Sequence, residues 1–293
     1  MPVDSSLAGT TIGPVESHVD ARWTMAYASS IDDFWPCYID TRRRGGIVAH
    51  PIFPVCFEWP LACDLSARVR AAGLTSAEAA RGVHATYDVI THRAIRPPET
   101  LSTTVTMAGI ERRKPGAFLL MRFDTRDERG EMVCTTWYGQ IFRGVEIVGP
   151  DRPASDLPAA TPLPAPNSND APMEMPIAVS AAAAHLYTEC ARIWNPIHTD
   201  AAVAERAGLP AIILHGTATI AMAASKIIIG EAGYDPTRVR RIAGRFAAMV
   251  MMPSILTLKI VAREASGSGK RLFFEALTAE GKQAIRDGLV ELA

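Results

Sequence analysis

The sequence predicts an α+β protein of two similar halves, each an antiparallel sheet wrapped around one central helix. Three observations lead there. Tyr27–Asp40, Y-A-S-S-I-D-D-F-W-P-C-Y-I-D, lies over Tyr187–Asp200, Y-T-E-C-A-R-I-W-N-P-I-H-T-D, without a gap, which marks an internal duplication. Each copy is followed by a helical stretch and then by runs rich in β-branched and aromatic residues. Between the copies, residues 150–176 hold eight of the 21 prolines.

With 293 residues and 48% apolar content, the chain can bury more than one core, and two domains of about 140 residues fit it. The expected organisation is 1–147, a linker over 148–176, and 177–293. A net charge of −1 lacks the basic excess of a dedicated nucleic-acid binder. Cys37, Cys56, Cys63, Cys134 and Cys190 are scattered, with no CxxC spacing; no metal is indicated, and a reducing cytoplasm fits them. The start, M-P-V-D-S-S-L-A-G-T, has neither the basic residues nor the apolar run of a signal peptide. The most apolar stretch is broken by Lys226 and stops at Gly230, so no membrane span is expected and the protein reads as cytoplasmic.

In the first half, Tyr27 meets Tyr187, Pro36 meets Pro196 and Asp40 meets Asp200, while Asp33 stands where the second copy has Ile193, Trp35 for Asn195, and Tyr38 for His198. Two readings follow for Asp33: it caps a turn in a degenerate pseudo-site, or it serves His198 in a composite site. His50-Pro51 corresponds loosely to His215-Gly216, and Phe57–Ala72, closed by Gly73, reads as the first central helix. From Val83 to Gly144 four strands are expected, with R-D-E-R-G-E as a hairpin turn. His84 and His92 in these strands read as surface or satisfied histidines, because no acidic or cysteine partners cluster with them at ligand spacing.

The proline-rich stretch reads as an extended, partly mobile tether. In the second half, Asn195-Pro196 is a turn signal, because proline fixes its own φ and restricts the residue before it. Thr199 or Asp200 caps a short helix that Gly208 ends ahead of Leu209-Pro210. His215-Gly216 opens a helix in which Ile220, Ala223, Ala224, Ile227 and Ile228 keep helical spacing and little polar surface remains, so a sheet must wrap it. Four further strands end the chain, the middle pair joined by S-G-S-G-K.

These residues resemble the MaoC-like, or R-specific, enoyl-CoA hydratase family, whose signature reads approximately Y-x5-D-x-N-P-x-H-x-D, then A-x2-A-G, then His-Gly. Tyr187, Asn195, Pro196, His198, Asp200, Ala207, Gly208, His215 and Gly216 fall on it with its spacing. The resemblance implies a double hot-dog fold with both sheets continuous. It implies a CoA thioester as substrate, no cofactor, and an acyl-CoA hydratase or dehydratase reaction giving the 3-hydroxyacyl thioester. It also implies a possible homodimer or hetero-oligomer with a related hot-dog chain. In the family an Asp two residues before the Asn works with the His on the water; this chain has Ile193 there.

Within that frame, His198 is the expected acid–base group. Asn195 helps to hold the water, and Gly216 presents its N–H at a helix N-terminus to the thioester carbonyl. His215 is expected to fix the loop, Tyr187 to pack and bond locally, and Glu189, four residues before Ile193, is a candidate for the missing acid. Two alternatives stay open: an acyl-CoA thioesterase, and a non-catalytic acyl-CoA-binding subunit that needs a partner.

Overall fold

The computed structural model describes residues 2–164 and 173–293. The first half runs β1 (Val3–Asp4), β2 (Thr11–Val19), α1 (Ala21–Ser30), α2 (Pro36–Ile39), α3 (Val55–Ala71), α4 (Ser76–Ala79), β3 (Gly82–Thr91), β4 (Glu99–Arg113), β5 (Gly116–Asp127), β6 (Met132–Arg143) and β7 (Ile147–Val148). The second runs β8 (Met173–Val179), α5 (Ala183–Ala191), α6 (Ala201–Arg206), α7 (Gly216–Glu231), β9 (Val239–Phe246), β10 (Ser254–Ser266), β11 (Gly269–Leu277) and β12 (Gln283–Leu292). One antiparallel sheet has the order β2-β4-β5-β6-β3-β9-β12-β11-β10-β8. The two halves are therefore mirror arrangements that meet at β3 and β9. The expected continuous double hot-dog is what the chain forms, with α3 and α7 packed on one sheet face.

The duplication is visible in the backbone. Both α1 and α5 are followed within two residues by one in the left-handed region, Asp32 at φ 58° and Arg192 at φ 59°. Those positions coincide in the ungapped overlay of the two copies. Trp35 and Asn195 then precede short helical turns that begin at Pro36 and Pro196. Proline is tolerated there because the first N–H of a helix has no internal partner. At the centre the Tyr27 and Tyr187 hydroxyls lie 3.4 Å apart, and the Trp23 indole N–H donates to the Cys190 carbonyl at 3.1 Å.

Two elements depart from expectation. Each half has a fifth strand ahead of its first helix, β2 and β8. Both carry a proline, Pro14 and Pro176, and both form the outer edges of the sheet, where a missing N–H costs no ladder bond. β8 begins inside the stretch expected to be linker, at Met173, and runs past its end at 176. Residues 150–164 are not a loose tether either: Arg152 bridges to Ile110, Asp156 pairs with Arg122, and the Ala159 carbonyl accepts from Arg241. The segment is strapped over the outer sheet face, against Phe118, Leu120, Trp137 and Ile141. The remainder of the linker expectation, residues 165–172, lies outside the described residues.

α3 buries a carboxyl group. Glu58 is 1% exposed, and the Thr136 hydroxyl donates to its Oε1 at 2.6 Å. Burial outweighs that bond and raises the Glu58 pKa to about 8. The native state therefore holds a proton that the unfolded chain releases above its ordinary value of 4.5. Stability contributed by this group is lost as pH rises from about 4.5 towards 8. Glu58→Gln, which keeps the acceptor without the charge, is expected to stabilise the protein at pH 8 by about 1–3 kcal/mol and to change little near pH 4.5. Urea midpoints at both pH values measure this, and an equal effect at the two would contradict it.

Candidate active site

α5 ends because Arg192 turns left-handed, and the chain then descends through Ile193 into the Asn195-Pro196 turn. The Asn195 side-chain oxygen accepts from the Ile197 N–H at 3.5 Å, and its carbonyl from the His198 N–H at 3.1 Å. Asp200 caps α6 by accepting from the Ala202 and Val203 N–H groups at 2.9 and 3.1 Å. That cap fixes the direction in which His198 leaves the turn.

His198 is 9% exposed. Its Nδ1–H donates to the Ile213 carbonyl at 2.8 Å, and since a carbonyl can only accept, the other nitrogen, Nε2, carries a free lone pair. Burial lowers its pKa to about 4, so the ring is neutral at physiological pH. His215 stacks on it, with centroids 3.6 Å apart and planes 24° from parallel. Its Nε2 lies 3.2 Å from the Thr188 hydroxyl. Its Nδ1 is buried, facing the Ile193 backbone without reaching hydrogen-bond geometry. Burial first, and the neighbouring His198 second, hold His215 well below the usual imidazole range. The pair thus rests as two neutral rings, His215 buttressing the face of His198.

His215 also occupies the cap position of α7 without capping it: its side chain accepts from no N–H of the first turn. The N–H groups beginning at Gly216 remain available to an anion or a carbonyl oxygen. Gly216 is required by space. A Cβ there would meet the Phe246 ring at 2.9–3.1 Å. Tyr187 is fully buried and donates to the Thr217 hydroxyl at 3.1 Å, tying α5 to the first turn of α7.

His198, Asn195, Gly216, His215 and Tyr187 are thus gathered in one place. Two expected supports are elsewhere. Glu189 is exposed on α5, because the helix stops at Ala191 and the i, i+4 relation to Ile193 never forms. Asp33 receives the Trp35 N–H at 3.5 Å and is favoured by Ser225 and Lys226, although burial raises its pKa. Those α7 residues lie about 14 Å along the helix from Gly216 at 1.5 Å per residue. The composite pairing of Asp33 with His198 is therefore corrected: the two turns sit at opposite ends of α7. Ile193 itself is 3% exposed and joins the hydrophobic core. Thr188, Thr217 and Phe246 escaped the sequence reading. The threonines follow Tyr187 and Gly216 directly and could have been found from that adjacency; Phe246 reaches the site only through the sheet.

The contact at Gly216 gives a stability test. Gly216→Ala is expected to cost about 1–3 kcal/mol by forcing the Phe246 ring aside, and Phe246→Leu in the same chain is expected to recover part of it. Chemical denaturation of the single and double variants decides this; additive losses would show that the two residues do not press on each other.

Residues 166–282 match the model of the MaoC like domain, and residues 6–136 match that of the FAS1-like dehydratase domain region. The peroxisomal enoyl-CoA hydratase 2 of Arabidopsis thaliana is 25% identical over 219 residues, 72% of this chain and 68% of that protein. Among solved structures, the MaoC-like dehydratase from Phytophthora capsici superposes with a TM-score of 0.82 at 20% identity, covering 98% of this chain and 96% of the other. The full-length peroxisomal multifunctional enzyme type 2 of Drosophila melanogaster gives 0.71 at 19% identity, covering 95% of this chain and 48% of that one. The chain thus carries a MaoC-like domain in its second half and a FAS1-like dehydratase region in its first, joined in one double hot-dog.

Proposed function

We propose that the protein adds water reversibly across the double bond of a trans-2-enoyl-CoA, giving the 3-hydroxyacyl thioester, with His198 as the acid–base group. The observation that carries this is the juxtaposition of a tautomer-fixed imidazole with the uncapped N-terminus of α7, joined through the His198–His215 stack. The Gly216 N–H receives the thioester carbonyl, where the helix dipole favours the negative charge that develops on the enolate oxygen. Water held between His198 Nε2 and the Asn195 side-chain amide gives a proton to Nε2 as its oxygen bonds to C3. The imidazolium then returns that proton to C2, collapsing the enolate, so one water is consumed and the ring ends neutral. Because Ile193 supplies no carboxylate, one imidazole makes both transfers.

The expected result is hydration of short and medium trans-2-enoyl-CoAs, followed by loss of the enoyl absorbance, with His198→Ala lowering kcat at least 100-fold. As Nε2 titrates at about 4, kcat/KM is expected to stay flat above about pH 6 and to fall towards pH 4 as the base becomes protonated. Saturable binding of CoA esters without hydration would favour a partner-dependent binding subunit instead, and release of free CoA thiol would favour a thioesterase.

A further inference from the structure

His84 lies in β3 of the first half, 114 positions before His198 in the sequence, yet the sheet carries it to the second-half site. A β-bulge interrupts the β3–β6 pairing: His84 faces Gln140, and Thr86 already faces Gly139. Regular alternation from Tyr87 would put Ala85 on the helix-facing side; the extra residue puts His84 there instead and leaves Ala85 with the outer cluster. Gly139 makes room for the irregularity, since a Cβ on it would meet the Thr86 hydroxyl at 2.1 Å and the Phe118 ring at 2.7 Å.

Once turned inward, the ring is held rigidly. It stacks on Tyr138 with centroids 3.6 Å apart and planes 12° from parallel, and meets the edge of Phe246 at 4.7 Å. Phe246 in turn lies against Gly216. His84 is therefore one ring's width from the N–H offered to the carbonyl. Its Nε2–H donates to the Thr86 carbonyl at 3.0 Å, which fixes Nδ1 as an acceptor. Nδ1 has no hydrogen-bond partner among the described residues, and His84 is only half-buried. Beside it stands Gln140, whose Oε1 accepts from Ser66 at 3.3 Å.

Resting on the hydratase reading above, we propose that His84 Nδ1 accepts a hydrogen bond from the acyl group of the substrate, and that the preferred substrates are enoyl thioesters whose acyl chain bears a hydroxyl beyond C3. The direction follows from polarity. The nucleotide end of CoA has to remain in solvent, so the inward wall formed by Phe246, His84, Tyr138 and Gln140 faces the acyl tail. A wall for plain alkyl chains would be uniformly apolar; here a fixed acceptor without a partner sits in it. A site built to accept from a hydroxyl rejects the analogue lacking one, because the acceptor is then desolvated without compensation.

The test compares ω-hydroxy and plain trans-2-enoyl-CoAs of equal length, from short to medium, with the native protein, His84→Leu and His84→Gln. The native protein is expected to favour the hydroxylated member of the best-fitting pair about tenfold in kcat/KM, which is about 1.4 kcal/mol. His84→Leu is expected to abolish that preference, and His84→Gln, which keeps an acceptor, to retain most of it. The proposal is overturned by equal rates in the native protein, by a preference that survives in His84→Leu, or by a uniform loss on both substrates, which would place the contact on the shared pantetheine arm or in packing. If the native protein hydrates neither member, the hydratase reading fails on its own. The His84 contact is then read from Kd values of the corresponding saturated acyl-CoAs: tighter hydroxyacyl binding lost in His84→Leu sustains it, and equal Kd values in the native protein remove it.

Discussion

The seam between β3 and β9 is the constraint on which the rest of this structure depends. Thr86–Ile90 pair antiparallel with Arg245–Arg241, turning two five-stranded sheets into one and removing the two strand edges that either half alone would expose. On the outer face the Arg241 guanidinium grips both oxygens of Asp88 across the seam, at 2.9 and 2.7 Å, a bidentate geometry that also fixes register. On the inner face the same pairing sets His84 against Phe246, and so brings a residue of one half to the helix N-terminus of the other. A one-residue slip would turn every inward side chain outward, so the site inherits its precision from the ladder.

The duplicated turns show how one backbone carries two chemistries. Tyr38 replaces His198, and Pro51 follows His50 where Gly216 follows His215. Proline has no N–H, so the first half lacks the donor that the second offers. His50 is also engaged internally: its Nδ1 accepts from the Ile52 N–H at 3.1 Å, leaving its Nε2–H to donate to the Ser225 hydroxyl at 3.2 Å. Asp33, the first-half counterpart of Ile193, faces Ser225 and Lys226 on the far half of α7. The first half has thus become a brace for the second helix, and its useful contribution to the site comes from its sheet, through His84, rather than from its turn.

Much of this was legible in the sequence because it rests on local chemistry. The turn at Asn195-Pro196, the Asp200 cap, the Gly208 stop and the His215-Gly216 start each depend on residues within four positions of one another. So do the strand runs and the ungapped repeat. The parts that were not legible are those fixed by distant contacts. Pro14 and Pro176 hid two edge strands, since proline weakens a strand signal without saying that the strand lies at an edge. Nothing near His84 marks it as inward-facing; the bulge that turns it arises from the opposition of Thr86 to Gly139 on another strand. The pairing of Asp33 with His198 failed for a related reason: sequence overlay gives equivalence under the pseudo-twofold, and equivalent points need not be neighbours.

No carboxylate accompanies the His198 imidazole at position 193, which is an isoleucine. A carboxylate beside His198 would favour the charged ring, while a buried isoleucine offers volume alone, and desolvation then dominates and lowers the His198 pKa to about 4. In the proposed reaction such a ring accepts a proton reluctantly and surrenders it readily. The imidazolium therefore has to form late and briefly, with its cost offset by charge stabilisation elsewhere. That burden falls on the N-terminus of α7, whose first N–H groups are left uncapped and whose leading glycine lets the carbonyl approach. The His215 stack serves the same end. By adding a second neutral ring at 3.6 Å it holds His198 in one orientation without offering a charge that would trap the proton.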